Sequence, residues 1–204
     1  MKMKSSGGRL PAAERRATTV QAVLELAAAG NPADITTGAI AEYMHITQGA
    51  LFRHFATKDA IWQAVIEDVT QRVLARVVEA AQTAKTPLEA LEVVFLAHTA
   101  SHARQAGVPR ILFGELQRTG DTLAKRRVRK FMGRYVAKLQ ALIEHGKAGG
   151  EIDPEVDAKA AATVFVGMIQ GLVVQALISK KNGISRTKAR DVFALYRRAV
   201  RSAP

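Results

Sequence analysis

Apolar residues recur at helical spacing along almost the whole of this chain, and no stretch alternates apolar with polar residues as a half-buried strand does. That single period restricts the chain to an all-α fold, and the residues that interrupt it divide it into about nine helices. The first runs from Pro11 or Ala12 to Ala29, with Gly30-Asn31-Pro32 as its stop and Val20, Val23, Leu24 and Ala27 as its apolar stripe. Thr36 caps a short helix to about Met44, and Thr47 caps a second from Gln48 to about Phe55. Thr57 caps a long helix from Lys58 to about Ala81, in which Ile61, Val65, Val69, Val73 and Val77 repeat every fourth residue. Thr86-Pro-Leu-Glu89 is a capping box whose helix ends before Gly107. Pro109 opens a shorter helix to about Arg118, and Asp121 caps a basic one to about His145. "GKAGGEIDPE" reads as a loop, 157–179 as a strongly apolar helix, Lys180–Gly183 as a turn, and Ser185 as the cap of a last helix to about Arg201.

With 204 residues, 48% of them hydrophobic, the chain can bury a sizeable core. It has no cysteine, which removes disulfides and thiolate metal sites and agrees with a reducing cytoplasm. The basic start "MKMKSSGGRLPAAERR" has no apolar core of the signal-peptide kind, so export is not expected. A net charge of +12 points to a polyanionic partner. The charge is spread over residues 1–16, the run Lys125–Lys138 and the segment Lys180–Arg201, so it does not by itself locate a nucleic-acid site.

The location comes from "TTGAIAEYMHITQGALFRHFATKDAI". Two short helices there meet at a tight turn, with Ile40, Ile46 and Leu51 as core positions and Ala41 small enough for a close crossing. His45 falls where the chain reverses, a place that favours left-handed backbone. This is a helix-turn-helix, whose second helix can enter a major groove. Thr36 and Thr37 open the first short helix, where hydroxyls and free N–H groups suit a phosphate. Thr47, Gln48, Gly49 and Ala50 open the second: Gln48 can pair with adenine, Gly49 permits close approach, and Ala50 can touch a thymine methyl. Arg53 can reach guanine or phosphate, while His54 and Lys58 suit phosphate.

The same segment resembles the DNA-binding signature of the tetracycline-repressor (TetR) family of bacterial transcriptional regulators. Ile40-Ala41-Glu42, Thr47-x-Gly49-x-Leu51, Arg53-His54-Phe55 and Lys58 match it in order and spacing. The strong match covers about residues 12–65. Phe52, a candidate contact, stands where the family usually has tyrosine, and His45 where it commonly has glycine. The resemblance implies a homodimer, a double-stranded DNA operator, and a C-terminal domain that takes a small apolar or amphipathic effector. The expected organisation is a basic disordered arm at 1–10, a DNA-binding domain at 11–56, and an effector-binding and dimerisation domain at 57–204, with helix 58–81 joining the two.

In that second domain Phe95, His98, His102, Phe113, Gln117, Phe131, Tyr135, Phe165 and Met168 are the candidate lining of an effector cavity. His98 and His102 are also spaced for zinc, but no third ligand is grouped with them, and no metal or other cofactor is expected. The helix at 160–179 is apolar all round, with Gly167-x-x-x-Gly171 as a packing motif. Gln170 and Gln175 disfavour a membrane span, and with the last helix it can form half of a four-helix dimer bundle through Val166, Gly167, Gln170, Val173, Val174, Leu177, Val192 and Tyr196. Neither a Gly-x-Ser-x-Gly elbow nor a phosphate-binding glycine loop is present, so an enzyme is not expected. The leading expectation is a ligand-responsive repressor acting in the bacterial cytoplasm. The alternative is a DNA-bound protein whose body docks another protein.

Overall fold

The computed structural model describes residues 11–104, 107–179 and 184–202. The expected arm at 1–10 and turn at 180–183 lie outside them. Nine helices and no strand are found among the described residues: α1 (Ala12–Ala29), α2 (Thr37–Tyr43), α3 (Gln48–Phe52), α4 (Lys58–Thr83), α5 (Pro87–Arg104), α6 (Gly107–Gln117), α7 (Leu123–Ala148), α8 (Ala158–Ile178) and α9 (Arg186–Val200).

Threonine sets three consecutive helix starts. The hydroxyls of Thr36, Thr47 and Thr57 accept from the N–H groups of Ala39, Ala50 and Ala60 at 3.0, 3.1 and 3.1 Å. Each satisfies one of the donors a helix start leaves free, worth about 1 kcal/mol. Thr86 caps α5 in the same way through Glu89 N–H at 3.2 Å, while the Glu89 carboxylate accepts from Lys85 N–H at 2.8 Å.

Several boundaries differ from the pattern reading. Helix α3 stops at Phe52 rather than near Phe55, because Phe55 turns into the core at 1% exposure and Thr57 then starts α4. Helix α6 begins at Gly107, two residues before Pro109. Thr122, not Asp121, caps α7, accepting from Lys125 N–H at 3.1 Å, while Asp121 binds Arg126 and Arg129. Helix α7 also runs on through the first three residues of the expected loop, to Ala148. Gly146 inside it leaves room for the buried Ile152, since a Cβ there would sit 2.7 Å from Ile152 Cδ1 and displace that side chain.

Two large apolar cores result, with a small third cluster of Ile66, Ala124 and Val128 where α4 meets α7. Val20, Val23 and Leu24 of α1 meet Ile40, Leu51, Phe55, Ile61 and Val65, and Val108 and Ile111 of α6 complete this core from outside the helix-turn-helix. The body core gathers Leu91, Phe95, Tyr135, Leu139, Ile143, Phe165, Ile169 and Phe193. Phe95 meets Phe165 edge-on and Phe193 tilted, both at 5.4 Å between centroids. Burying each such ring contributes about 1.5–3 kcal/mol. The last helix is tied down where Asp153 N–H donates to the Val200 carbonyl at 3.0 Å and Ile152 bridges to Arg201.

Candidate functional site

Ile40 and Ala41 of α2 pack on Leu51 of α3 in the buried crossing that defines the helix-turn-helix. The turn between them passes through His45 at φ 54°, with Ile46 N–H closing onto the Ala41 carbonyl at 2.9 Å. Around this crossing Thr36, Thr47, Gln48, Gly49, Phe52 and Arg53 are exposed, and Thr37, Ala50, His54 and Lys58 are half-buried. Phe52 presents an apolar ring at 42% exposure. Arg53 is the residue that ends α3, and His54 lies in the following turn.

Three further residues support this face. Arg16 of α1 donates to the His54 carbonyl at 3.1 Å, and its guanidinium lies 4.5 Å from the centre of the Phe55 ring. That one side chain fastens the end of α3 to α1 by a hydrogen bond and a cation–π contact. Tyr43 donates its hydroxyl to Glu25 of α1, which holds that carboxyl below the usual range together with the larger effect of Gln21. Gly38 lies under the Gln48 amide, where a Cβ would come within 2.8 Å of Nε2. Nothing local in the sequence marks Arg16, which reads there as one more charge in a basic segment. Lys58 sits on the rim of a groove of about 470 Å³ between the Pro32 turn, the start of α4 and α6, and Gln117 lies on the same rim.

The body holds a cavity of about 40 Å³ at the meeting point of four helices. Its walls are Val69, Arg72, Val73 and Arg76 of α4, His98, Ser101 and His102 of α5, Val108 and Leu112 of α6, and Phe131 of α7. His98, His102 and Phe131 of the expected lining therefore meet there. Tyr135 stands behind them, its hydroxyl sharing a hydrogen bond of 2.9 Å with His98 Nδ1. Phe95 and Phe165 instead fill the body core, Met168 packs against that core, Phe113 is half-buried on α6, and Gln117 is on the outer groove.

Arg76 escaped the pattern reading. The available signal was its spacing, since Arg72 and Arg76 follow Val69 by three and seven residues and so share its face. The two imidazole rings are stacked 5.0 Å apart. Burial pushes His98 down to about 3, helped by His102 and Arg76, and pushes His102 down to about 4, helped by Arg76. Both are neutral at pH 7. Among the described residues no third histidine, cysteine or carboxylate joins them in a metal-binding group.

Two of the helices that wall the cavity, α4 and α6, also touch α1. The contact of α6 is the tighter. A Cβ on Gly107 would lie 2.1 Å from the Leu24 carbonyl oxygen and 3.0 Å from Ala28 N, so the α6 backbone rests directly on that of α1.

Elsewhere on the body, α8 turns Val164, Gly167, Gln170, Gly171, Val174, Leu177 and Ile178 outward, and α9 adds Leu195. Val166 and Val192 are half-buried at its edge. Val173 and Tyr196, expected at a dimer interface, face inward instead: each is 4% exposed, and the Tyr196 hydroxyl donates to the Ala161 carbonyl at 3.2 Å. A Cβ on Gly167 or Gly171 would meet nothing within 4 Å. Helix α8 is also the one helix among the described residues long and apolar enough to cross a membrane, with 33% of its most apolar 18-residue stretch buried in the fold.

Residues 17–65 match the family model of bacterial regulatory proteins of the tetR family, and residues 113–202 that of the C-terminal region of BetI-type transcriptional repressors. The nucleoid occlusion factor SlmA of Marinobacter nauticus is 24% identical over 162 residues, 78% of this chain and 82% of its own length. SlmA of Vibrio vulnificus is 24% identical over 158 residues, covering 77% and 81%. The fold is shared with the ketosteroid transcriptional regulator KstR2 of Mycobacterium tuberculosis, at TM-score 0.77 and 16% identity over 98% of this chain and 100% of that one. It is shared equally with the regulator FadR of Bacillus subtilis, solved in complex with stearoyl-CoA, at TM-score 0.77 and 18% identity over 88% and 96%.

Proposed function

This chain belongs to the tetR family of bacterial regulatory proteins, and from that membership we propose that it is a cytoplasmic, ligand-responsive repressor that holds a palindromic operator as a homodimer. The exposed start of α3 supplies the base-reading side chains, with Gln48 on adenine, Ala50 on a thymine methyl and Arg53 on guanine or phosphate. Thr36, Thr37, His54 and Lys58 fix the register on the phosphates. The dimer forms through the outward stripe of α8 with α9, where Gly167 and Gly171 leave space for a partner helix to approach closely. It sets the two recognition helices about 34–36 Å apart, one turn of duplex.

One observation carries the effector half of this reading. The walls of the histidine cavity include α4 and α6, and α6 rests backbone to backbone on α1 at Gly107. A ligand that parts α4 from α6 therefore displaces the DNA-binding unit. At about 40 Å³ the cavity holds a single water, whereas drug-sized ligands occupy about 300–1,000 Å³. The effector accordingly selects a wider state, and it lowers operator affinity by as much as it prefers that state.

The test has two stages. Duplexes selected from a random pool should carry an inverted repeat, and a small-molecule library should contain compounds that weaken binding to the selected duplex. Gly107→Ala, which pushes α6 off α1, should lower operator affinity and reduce the further response to such compounds. Selected DNA without a repeat removes the dimeric-operator reading, and an unaltered response in Gly107→Ala removes the α6 route. The second reading, a DNA-bound protein that docks another protein, is favoured by the likeness to the nucleoid occlusion factors and by the small cavity. It takes over if no compound changes DNA affinity.

A further inference from the structure

We propose that the cavity between α4, α5, α6 and α7 takes an amphipathic monocarboxylate, its carboxylate held between the Arg76 guanidinium and the His102 imidazole and its apolar body along Val69, Val73, Leu112 and Phe131. The proposal rests on the effector reading above only for the consequence to DNA, not for the binding.

Arg76 lies on the wall of this cavity and of a second void of about 10 Å³ against Val77 and Val94. On the same helix Arg72 is paired with Asp68, but among the described residues no carboxylate lies within ion-pair distance of Arg76. This guanidinium is half-buried beside two imidazoles and apolar walls, where reduced solvation strengthens its attraction for an anion. The second observation is independent of charge. His102 Nδ1 is buried and has no hydrogen-bond partner, while its stacked neighbour His98 is engaged by Tyr135. Buried polar atoms are rarely left so in a native fold. His98 is the positioning residue that holds the His102 ring.

The donor set defines the ligand. In the empty site, with both imidazoles neutral, the one positive charge is the guanidinium, and its planar fork matches a carboxylate. Charged and titratable groups reach the cavity from α4 (Arg72 with its partner Asp68, and Arg76), α5 (His98 and His102) and α7 (Tyr135), whereas α6 contributes only Val108 and Leu112. Burial keeps the Tyr135 phenol above its ordinary value, so it stays a neutral hydroxyl. An arriving carboxylate favours the imidazolium of His102, so its pKa rises from about 4 on binding. Voids on both sides of Arg76 and His98 leave their surroundings incompletely packed, and the cavity widens there at the least cost.

The experiment is calorimetric titration of the full chain near pH 6.5 with straight-chain monocarboxylates from acetate to decanoate, phenylacetate and 4-phenylbutyrate, each beside its primary amide. At least one acid should bind about tenfold or more tightly than its amide, as the loss of a charge-assisted pair requires. The His102 Cε1–H resonance should move towards the imidazolium position. Arg76→Gln should abolish the preference for acid, and Arg76→Lys should keep part of it, with thermal melting establishing that both are folded. If no acid outbinds its amide, or if folded Arg76→Gln binds the acid as the parent does, the site is not what we propose. Should Arg76→Gln fail to fold, Arg76→Lys decides: a folded Arg76→Lys that keeps the parent's full preference for acid over amide overturns the proposal. An amide that binds as well as its acid and releases DNA overturns the carboxylate site while leaving effector control standing. An acid that binds through Arg76 without altering DNA affinity establishes the site and removes effector control.

Discussion

At residue 45 the backbone turns through φ 54°, where the Cβ of a histidine crowds the neighbouring carbonyl. Left-handed geometry costs a side-chain-bearing residue about 1–2 kcal/mol, against about 0.5–1 kcal/mol for the extra freedom glycine gives the unfolded chain. His45→Gly should therefore raise stability by about 0.5–1 kcal/mol in urea denaturation, with DNA binding retained; a loss of stability would mean that the exposed imidazole makes a contact of its own. Three residues on, Gln48 is placed to read a base while Lys58 sits at the start of α4. Gln48→Ala should cost about 1–3 kcal/mol on the selected duplex and little on random DNA. Lys58→Ala should weaken both alike and reduce the salt slope by about one. Equal loss on both duplexes for Gln48→Ala would reassign that side chain to the phosphate backbone.

Helix α8 is apolar on all sides, so its inward and outward residues differ by a single step along the chain. Val173 is 4% exposed and Val174 is 42% exposed. A charge at the first position is buried in the protomer's own core and should unfold it, whereas the same charge at the second stays in water until a partner arrives. Val174→Asp should thus give a folded monomer by light scattering and circular dichroism, with operator affinity reduced but single half-site binding preserved. Val173→Asp should lower the melting temperature instead. A Val174→Asp protein that remains dimeric would move the interface off α8.

For the molecule as a whole, the two neutral histidines make stability depend on pH. The unfolded chain protonates each near 6.5, but the fold holds them near 3 and 4, so the unfolded state binds more protons whenever the pH is below that ordinary value. Their contribution is complete above about 6.5 and is lost as pH falls towards the folded values, by about 1.4 kcal/mol per pH unit for each histidine. Denaturation measured between pH 7 and 5, above the range where most carboxylates titrate, should show this slope, and His102→Gln should remove about half of it. A flat profile would mean that the pair is solvated. In the same window, a coupling of about 1–3 kcal/mol between effector and DNA would change operator affinity about five- to 150-fold, with the reciprocal effect of DNA on the effector.

Helix number, the three threonine caps, the helix-turn-helix and the strained turn at His45 were all legible in the residues, because each depends on contacts within a few positions of the chain. A hydroxyl reaches an N–H three residues on whatever the rest of the molecule does. The segment 160–179 was legible as an apolar helix but not as a face, because a helix without a polar side has no preferred orientation until neighbours pack on it. Only the tertiary structure turned Val173 in and Val174 out, laid Arg16 over Phe55, and rested Gly107 on Leu24. It also separated Phe95 and Phe165, which fill the core, from His98, His102 and Phe131, which wall the cavity, and added Arg76 to that wall. Those choices join residues far apart in sequence, and they follow from how helices cross and which side chains then compete for the same space, which no local pattern contains.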